Sequence, residues 1–174
     1  MRASGILMPI SSLPSPYGIG TMGAAARSFV DFLVKSGQAY WQILPLGPTS
    51  YGDSPYQSFS TFAGNPYFIS LDELIEEGVL TRAECEKVNW GKAKGSIDYE
   101  KIYNGRYPLL RKAYERSKIS ENPEYQKFVN ENSWWLSDYA LFMAVKDRFD
   151  GVEWKLWADD IKPVSYTHLT LPTI

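Results

Sequence analysis

Histidine and cysteine are almost missing from these 174 residues, with His168 and Cys85 the single example of each. One cysteine cannot close an internal disulfide or build a thiolate zinc cluster, so a reducing compartment is the default. One histidine leaves a Ser-His-Asp or Cys-His arrangement a single possible base. No histidine pair or spaced carboxylate set proposes a metal site. Long apolar runs are lacking as well: none reaches the roughly 20 residues that span a bilayer, and the start has neither the basic region nor the apolar core of a secretory signal. The formal charge is −2, without a basic run, which removes the electrostatic footprint of a nucleic-acid or anionic-membrane binder. What remains is a cytoplasmic protein whose ligands are neutral.

A dinucleotide fingerprint is present only superficially. Gly18-Ile19-Gly20-Thr21-Met22-Gly23 has the glycine spacing, but a loop carrying Pro14 and Pro16 parts it from the preceding strand. The acidic residue expected about 20 positions further on is replaced by Leu44-Pro45-Leu46-Gly47.

Aromatic residues, by contrast, make up 15% of the chain, and most of them suit a large hydrophobic core. The exceptions lie between Trp41 and Tyr67, where a short apolar strand runs into a loop containing Tyr51-Gly52-Asp53-Ser54-Pro55-Tyr56-Gln57. A pyranose offers an apolar C–H face and a rim of hydroxyls, so flat rings beside small polar groups suit it. Gly47, Gly52, Pro45, Pro48, Pro55 and Pro66 restrict the backbone, which preorganises such groups. The bland alternative is a turn in which Asp53 and Ser54 bond their own backbone and Pro55 fixes the bend. Composition alone favours that turn.

The order of elements begins with an apolar run, Gly5 to Ile10, that suits a strand buried on both faces. Thr21 can cap a helix with Met22, Ala25, Ala26, Phe29, Val30 and Leu33 on one face and Gly37 just past its end. A second strand follows from Tyr40 to Leu46. Strand, helix and strand make a βαβ unit, whose parallel strands send their loops, Ser11 to Gly20 and Gly47 to Asn65, to one carboxyl-terminal edge, where α/β folds place ligands. From about residue 68 to 132 the chain reads as a helical insertion. Ser70-Leu71-Asp72-Glu73 and Thr81-Arg82-Ala83-Glu84 are capping-box patterns parted by Gly78, and Asn122-Pro123 starts another helix. Pro108 is expected to start, kink or interrupt the helical stretch from Tyr103 to Lys118. Trp135, Tyr139, Phe142 and Phe149 recur at helical spacing from about Trp134 onward, forming a core stripe that stops at Asp150-Gly151.

Three stretches closely resemble one family. They are Ser4-Gly5-Ile6-Leu7-Met8-Pro9-Ile10-Ser11-Ser12-Leu13-Pro14-Ser15-Pro16-Tyr17-Gly18-Ile19-Gly20, the whole of Trp41 to Tyr67, and Trp135-Leu136-Ser137-Asp138-Tyr139-Ala140-Leu141-Phe142-Met143-Ala144. Together they resemble the amino-terminal third of bacterial 4-alpha-glucanotransferases, the amylomaltases or disproportionating enzymes. The resemblance implies an α/β fold: the first two strands of an amylase-like (β/α) TIM barrel plus a helical insertion, truncated. It implies transfer of α-1,4-glucan segments between maltooligosaccharides or starch chains, with no metal or organic cofactor. The alternatives are an α-glucan hydrolase and a non-catalytic carbohydrate-binding module.

The resemblance also reverses the reading of the loop. It places Ser54 and Tyr56 at positions that contact the donor glucan near the cleavage point, and Tyr51 at one that binds glucan away from the catalytic centre. Asp53 ranks below Tyr56, because a carboxylate here can orient its neighbours instead of touching substrate. Asn65, Pro66 and Tyr67 read as scaffold at a strand entry, and Ser11, Ser12 and Pro14 as shapers of the mouth. Retaining transfer needs a nucleophilic carboxylate, an acid/base carboxyl and a group that steadies the oxocarbenium-like state. In the family all three lie on later strands, so no residue here is assigned catalysis. The likeness covers residues 1–163. After it, Val164-Ser165-Tyr166-Thr167-His168-Leu169-Thr170-Leu171-Pro172-Thr173-Ile174 resembles adapter-derived read-through and is expected to be a non-native tail.

Overall fold

Two short strands, β1 (Gly5–Leu7) and β2 (Tyr40–Gln42), pair in parallel, with Gly5 opposite Tyr40, Ile6 opposite Trp41 and Leu7 opposite Gln42, in a computed structural model of the chain. The structure describes residues 2–49, 52–91, 95–159 and 161. Tyr51, and the tail 164–174 with His168, lie outside the described residues. Helix α1 (Ala24–Lys35) joins the strands and completes the expected βαβ unit. The Phe29 ring meets the Trp41 indole edge-on at 5.0 Å, and Trp41 Nε1 donates to the Met8 carbonyl at 2.8 Å. One tryptophan thus ties helix to strand and strand to strand.

Several expectations need correction. The strands are shorter than the apolar runs that announced them. Pro9, which has no N–H for a ladder, leads the first run into a 3-10 turn at Ile10–Ser12, and the second strand ends before Leu46. Nor is either strand buried on both faces. Side chains alternate across a strand, so Ile6 and Trp41 are half-buried on one face while Gly5, Leu7, Tyr40 and Gln42 are exposed on the other. Thr21 does not cap α1; Gly23 does, without a side-chain bond. A Cβ on Gly23 would stand 2.6 Å from Ser70 Oγ, so close packing decides that position. Gly37 does follow the helix, in the left-handed region at φ 66°.

Helices α2 (Leu71–Glu76) and α3 (Arg82–Glu86) flank Gly78, at φ 76°. The second of the two capping boxes is complete: Thr81 Oγ1 accepts from Glu84 N, and Glu84 Oε2 accepts from Thr81 N. At the first, Ser70 Oγ accepts from Glu73 N, but the Glu73 carboxylate is engaged by Arg27 at 2.6 Å and gives no reciprocal bond. Arg116 grips Glu84 through both terminal nitrogens, at 2.9 Å each, and together with Thr81 holds that carboxyl well below its usual range.

Helix α4 (Tyr99–Ser117) starts at the Asp98 cap, whose Oδ1 accepts from Lys101 N at 3.2 Å. It runs through Pro108, which neither starts nor ends it. Pro108 and Asn104, whose carbonyl loses its partner, both lie on the exposed side, where water can serve the carbonyl. The opposite side buries Ile102, Gly105, Arg106, Leu109 and Ala113. Leu109 and Ala113 join Tyr17, Leu71, Leu80 and Cys85 in one core, and the Cys85 thiol there is pushed up, first by burial.

A second compact unit begins at Ile119. Its α5 (Pro123–Glu131) opens as expected, with Asn122 Oδ1 accepting from Glu124 N at 2.8 Å and Pro123 as first residue. Helix α6 (Ser133–Arg148) carries the aromatic stripe. Trp135 is buried, Tyr139, Phe142 and Phe149 are half-buried, and Trp157 closes on Phe142 and Phe149 at 5.6 and 5.8 Å. Asp150 and Gly151, both at positive φ, turn the chain away at its end. Among the described residues no helix is long and apolar enough to cross a membrane.

Candidate functional site

Beyond β1 and β2 the chain forms two loops at one edge. In the first, Gly20 N donates to the Ser11 carbonyl at 3.0 Å. A Cβ on Gly20 would lie 2.0 Å from the Ile10 oxygen, so only glycine closes this loop. Tyr17, buried within it, donates its hydroxyl to Asp72 Oδ1 at 3.1 Å; burial first and this carboxylate second push its phenol up to about 12. The second loop is stapled at its base, where Asn65 N donates to the Leu46 carbonyl at 2.8 Å. A bridge between Thr49 and Ser58 pinches it higher up.

At the pinched tip the Asp53-Ser54-Pro55-Tyr56 segment makes the local bonds of a turn. Ser54 Oγ accepts from Tyr56 N at 3.3 Å, and the Ser54 carbonyl accepts from Gln57 N at 3.1 Å. Asp53 stands at φ 56°, a left-handed conformation that a short polar side chain tolerates better than most. Tyr56 is 72% exposed, while Asp53 and Ser54 are half-buried.

A cleft of about 100 Å³ opens between the loops. Its walls come from Pro9 to Ser11 after β1, Leu44 to Leu46 after β2, and the turn that carries Asn65, Tyr67 and Phe68. It therefore lies at the carboxyl ends of both strands, as parallel pairing requires. The long loop contributes Asp53 and Pro55 to the wall, whereas Ser54 and Tyr56 stand outside it. Burial pushes the Asp53 carboxyl up. Burial, and then the charge of Asp53, push up the phenol of Tyr99, which also lines the cleft. Tyr67 is raised too, by burial first and by Tyr107 and Asp53 after it.

Asn65 and Tyr67 are buried, and Asn65 Oδ1 accepts from Tyr67 N at 2.9 Å. The segment is a 3-10 turn, Pro66–Phe68, and not a strand entry, because proline at its first position and the asparagine cap favour a tight turn. Sequence reasoning passed over Tyr99 as a cleft residue. It lies far along the chain on the first turn of α4, and no local pattern connects it to the loop. Among the described residues no cluster of His, Cys, Asp or Glu could hold a metal ion.

A carboxylate ringed by phenols and proline faces can accept sugar hydroxyls and cover an apolar ring face. The cleft's volume of about 100 Å³ is below the roughly 300 to 1,000 Å³ of ordinary ligand pockets.

The family model for 4-alpha-glucanotransferase matches residues 8–171. The chain is 53% identical, over 91% of its length, to a 4-alpha-glucanotransferase of Streptococcus pneumoniae, and 46% identical, over 90%, to one from Thermus thermophilus. It spans 32% and 31% of those relatives, about a third. Amylomaltase from Streptococcus agalactiae, solved in complex with acarbose, matches 92% of the chain at 41% identity with a TM-score of 0.84, and the chain covers 33% of it. With a family match over most of its length and a backbone that resembles a solved amylomaltase at 41% identity, this chain belongs to the 4-alpha-glucanotransferase family.

Proposed function

We propose that the chain forms the amino-terminal part of an enzyme that moves α-1,4-glucan segments between maltooligosaccharides or starch chains by a retaining double displacement. Its two strands belong to an amylase-like (β/α) barrel, and the carboxylates that act on the glycosidic bond come from later strands. The observation that carries this reading is the cleft at the carboxyl ends of β1 and β2, walled by Asp53 and Tyr99, in a chain that belongs to this family. Exposed Tyr56, with Ser54 holding its turn, contacts the donor glucan near the cleavage point, and Tyr51 binds glucan further away. The ligands are α-1,4-glucans.

A chimera tests it, with residues 1–163 replacing the matching segment of the Streptococcus pneumoniae relative. Given maltotriose, it should release glucose and build longer maltooligosaccharides while the number of reducing ends stays constant. A folded chimera with no such products would sink the reading. A steady rise in reducing ends would assign hydrolysis instead.

Asp53→Asn in the same chimera separates binding from stability. Burial raises the Asp53 carboxyl in the folded protein, so its contribution favours folding most below the unfolded carboxyl pKa, near 3.9, and that advantage is lost as pH rises through the folded value. The neutral amide escapes this loss and also tolerates positive φ. The variant should therefore match or exceed the parent in thermal midpoint at pH 7, with the difference shrinking as the solution is acidified, while kcat/KM on maltotriose falls roughly tenfold, the size of one lost polar contact. A lower midpoint at pH 7 would show that the carboxylate holds the loop.

A further inference from the structure

The buried face of α4 is apolar except at one position. Ile102, Gly105, Leu109 and Ala113 pack inward, and between them Arg106 has no exposed surface. Burial pushes its guanidinium down to about 10. Its Nε and Nη1 donate to no protein acceptor among the described residues. Nη2 donates to the carbonyl of Ile69. A methionine of similar length would pack here without the cost of desolvating a charge. Packing therefore does not account for an arginine.

Ile69 ends the 3-10 turn Pro66–Phe68. That turn is short, and its internal bonds, Phe68 N to the Asn65 carbonyl at 3.0 Å and Ile69 N to the Pro66 carbonyl at 3.3 Å, set its shape but not its direction. Met22 N, just past the first loop, donates to the Phe68 carbonyl at 2.9 Å, and the Leu46 carbonyl, just before the second, accepts from Asn65 N. Arg106 supplies a third hold, from the helix on which Tyr99 stands. All three join where the cleft wall receives Asn65, Tyr67 and Phe68.

We propose that Arg106 is a positioning residue for glucan docking: by bonding the Ile69 carbonyl it couples α4 to the cleft-lining turn and fixes Tyr67 against Asp53. It touches no sugar. The proposal rests on reading the cleft as a glucan site, and its test has one readout that does not depend on that reading.

In the chimera, Arg106→Met removes the donor and keeps the volume, Arg106→Gln keeps a polar head too short to reach, and Arg106→Lys keeps one donor. Amide hydrogen exchange at Phe68 and Ile69 should quicken at least tenfold in the Met and Gln variants, with the thermal midpoint of Arg106→Met unchanged or raised. KM for maltotriose should rise about fivefold or more, with kcat altered less than twofold, and Arg106→Lys should recover most of both effects. Quickened exchange with unchanged KM would confirm the coupling and remove the docking role. Unchanged exchange and KM in either folded variant would overturn the proposal. So would failure of all three variants to fold beside a folded parent, which would leave Arg106 a stability residue only. Failure of the glucan reading would appear separately, as an inactive parent chimera.

Discussion

Tyr56→Ala in the chimera should lower turnover on maltotriose by roughly 100-fold, on the scale of a misplaced reacting group, with the protein folded as before. The argument begins with exposure. Tyr56 is among the most exposed large side chains of its unit, at 72%, so truncating it opens no cavity and should cost less than about 0.5 kcal/mol of stability. Its backbone N–H is held by Ser54 Oγ at 3.3 Å, and that bond survives the substitution. A ring presented this way, on a loop whose backbone is stapled at Leu46 and pinched at Thr49 and Ser58, reaches solvent from a held backbone without being needed for packing. If it meets the sugar next to the bond being broken, its contact strengthens in the transition state and its loss appears in kcat. Tyr51→Ala should instead raise KM and change kcat by less than about threefold, as loss of uniform binding does. Equal losses of turnover in the two variants would remove the distinction between a ring at the cleavage point and one that holds glucan further off.

Local signals carried much of the fold. Gly37, Gly78, Asn122-Pro123 and Asp150-Gly151 mark real boundaries because each does its work within a few residues, through positive φ or a side chain bonded to its own backbone. The parallel pairing of the strands was legible for a related reason: a helix of ordinary length between two apolar runs leaves the chain little else to do. Failures came where a neighbour distant in sequence decides. Glu73 was expected to close a capping box and bonds Arg27 instead. Gly23 takes the place expected of Thr21 because Ser70 packs against it. Pro108 passes through α4 because its side is exposed, a fact that no single-residue rule contains.

The site divides in the same way. Composition made the loop from Gly47 to Asn65 conspicuous, since rings, short polar groups and stiff backbone rarely crowd together without a ligand or a turn to make. The geometry contains the turn, formed by Ser54, and it also contains a cleft; which residues wall that cleft depends on three segments meeting. Asp53 enters the wall from the loop, Tyr67 from the scaffold turn and Tyr99 from α4. Arg106 was illegible for the same reason: nothing local distinguishes an arginine buried behind a turn from one on a solvated helix face.

Expressed alone, residues 1–163 should show no transfer of glucan from maltotriose and no sharp cooperative unfolding. Leu7 is 55% exposed, Phe32 52%, Val34 72% and Tyr40 67%. Each forgoes much of the roughly 1.5 to 3 kcal/mol that full burial of a large apolar side chain contributes. Several such side chains together rival the 5 to 15 kcal/mol that keeps an ordinary domain folded, so a covering layer decides whether this unit is stable. The sheet deepens the difficulty. With only two strands described, each has an outer edge whose backbone groups no described strand pairs, a surface that invites association between chains. The core around Tyr17, Leu71, Leu80 and Cys85 lies under the helices and not under the strands, so it cannot supply the missing cover. Collapsed helical structure should persist while fixed packing around the strands is lost, giving strong far-ultraviolet and weak near-ultraviolet dichroism and binding of an apolar dye. Joined to the remaining segment of the Streptococcus pneumoniae relative, the same residues should regain a single denaturation step. A monomer of residues 1–163 that unfolds in one sharp step and releases glucose from maltotriose would contradict both halves of this expectation, since the strands would then need no cover and the chemistry no later carboxylates.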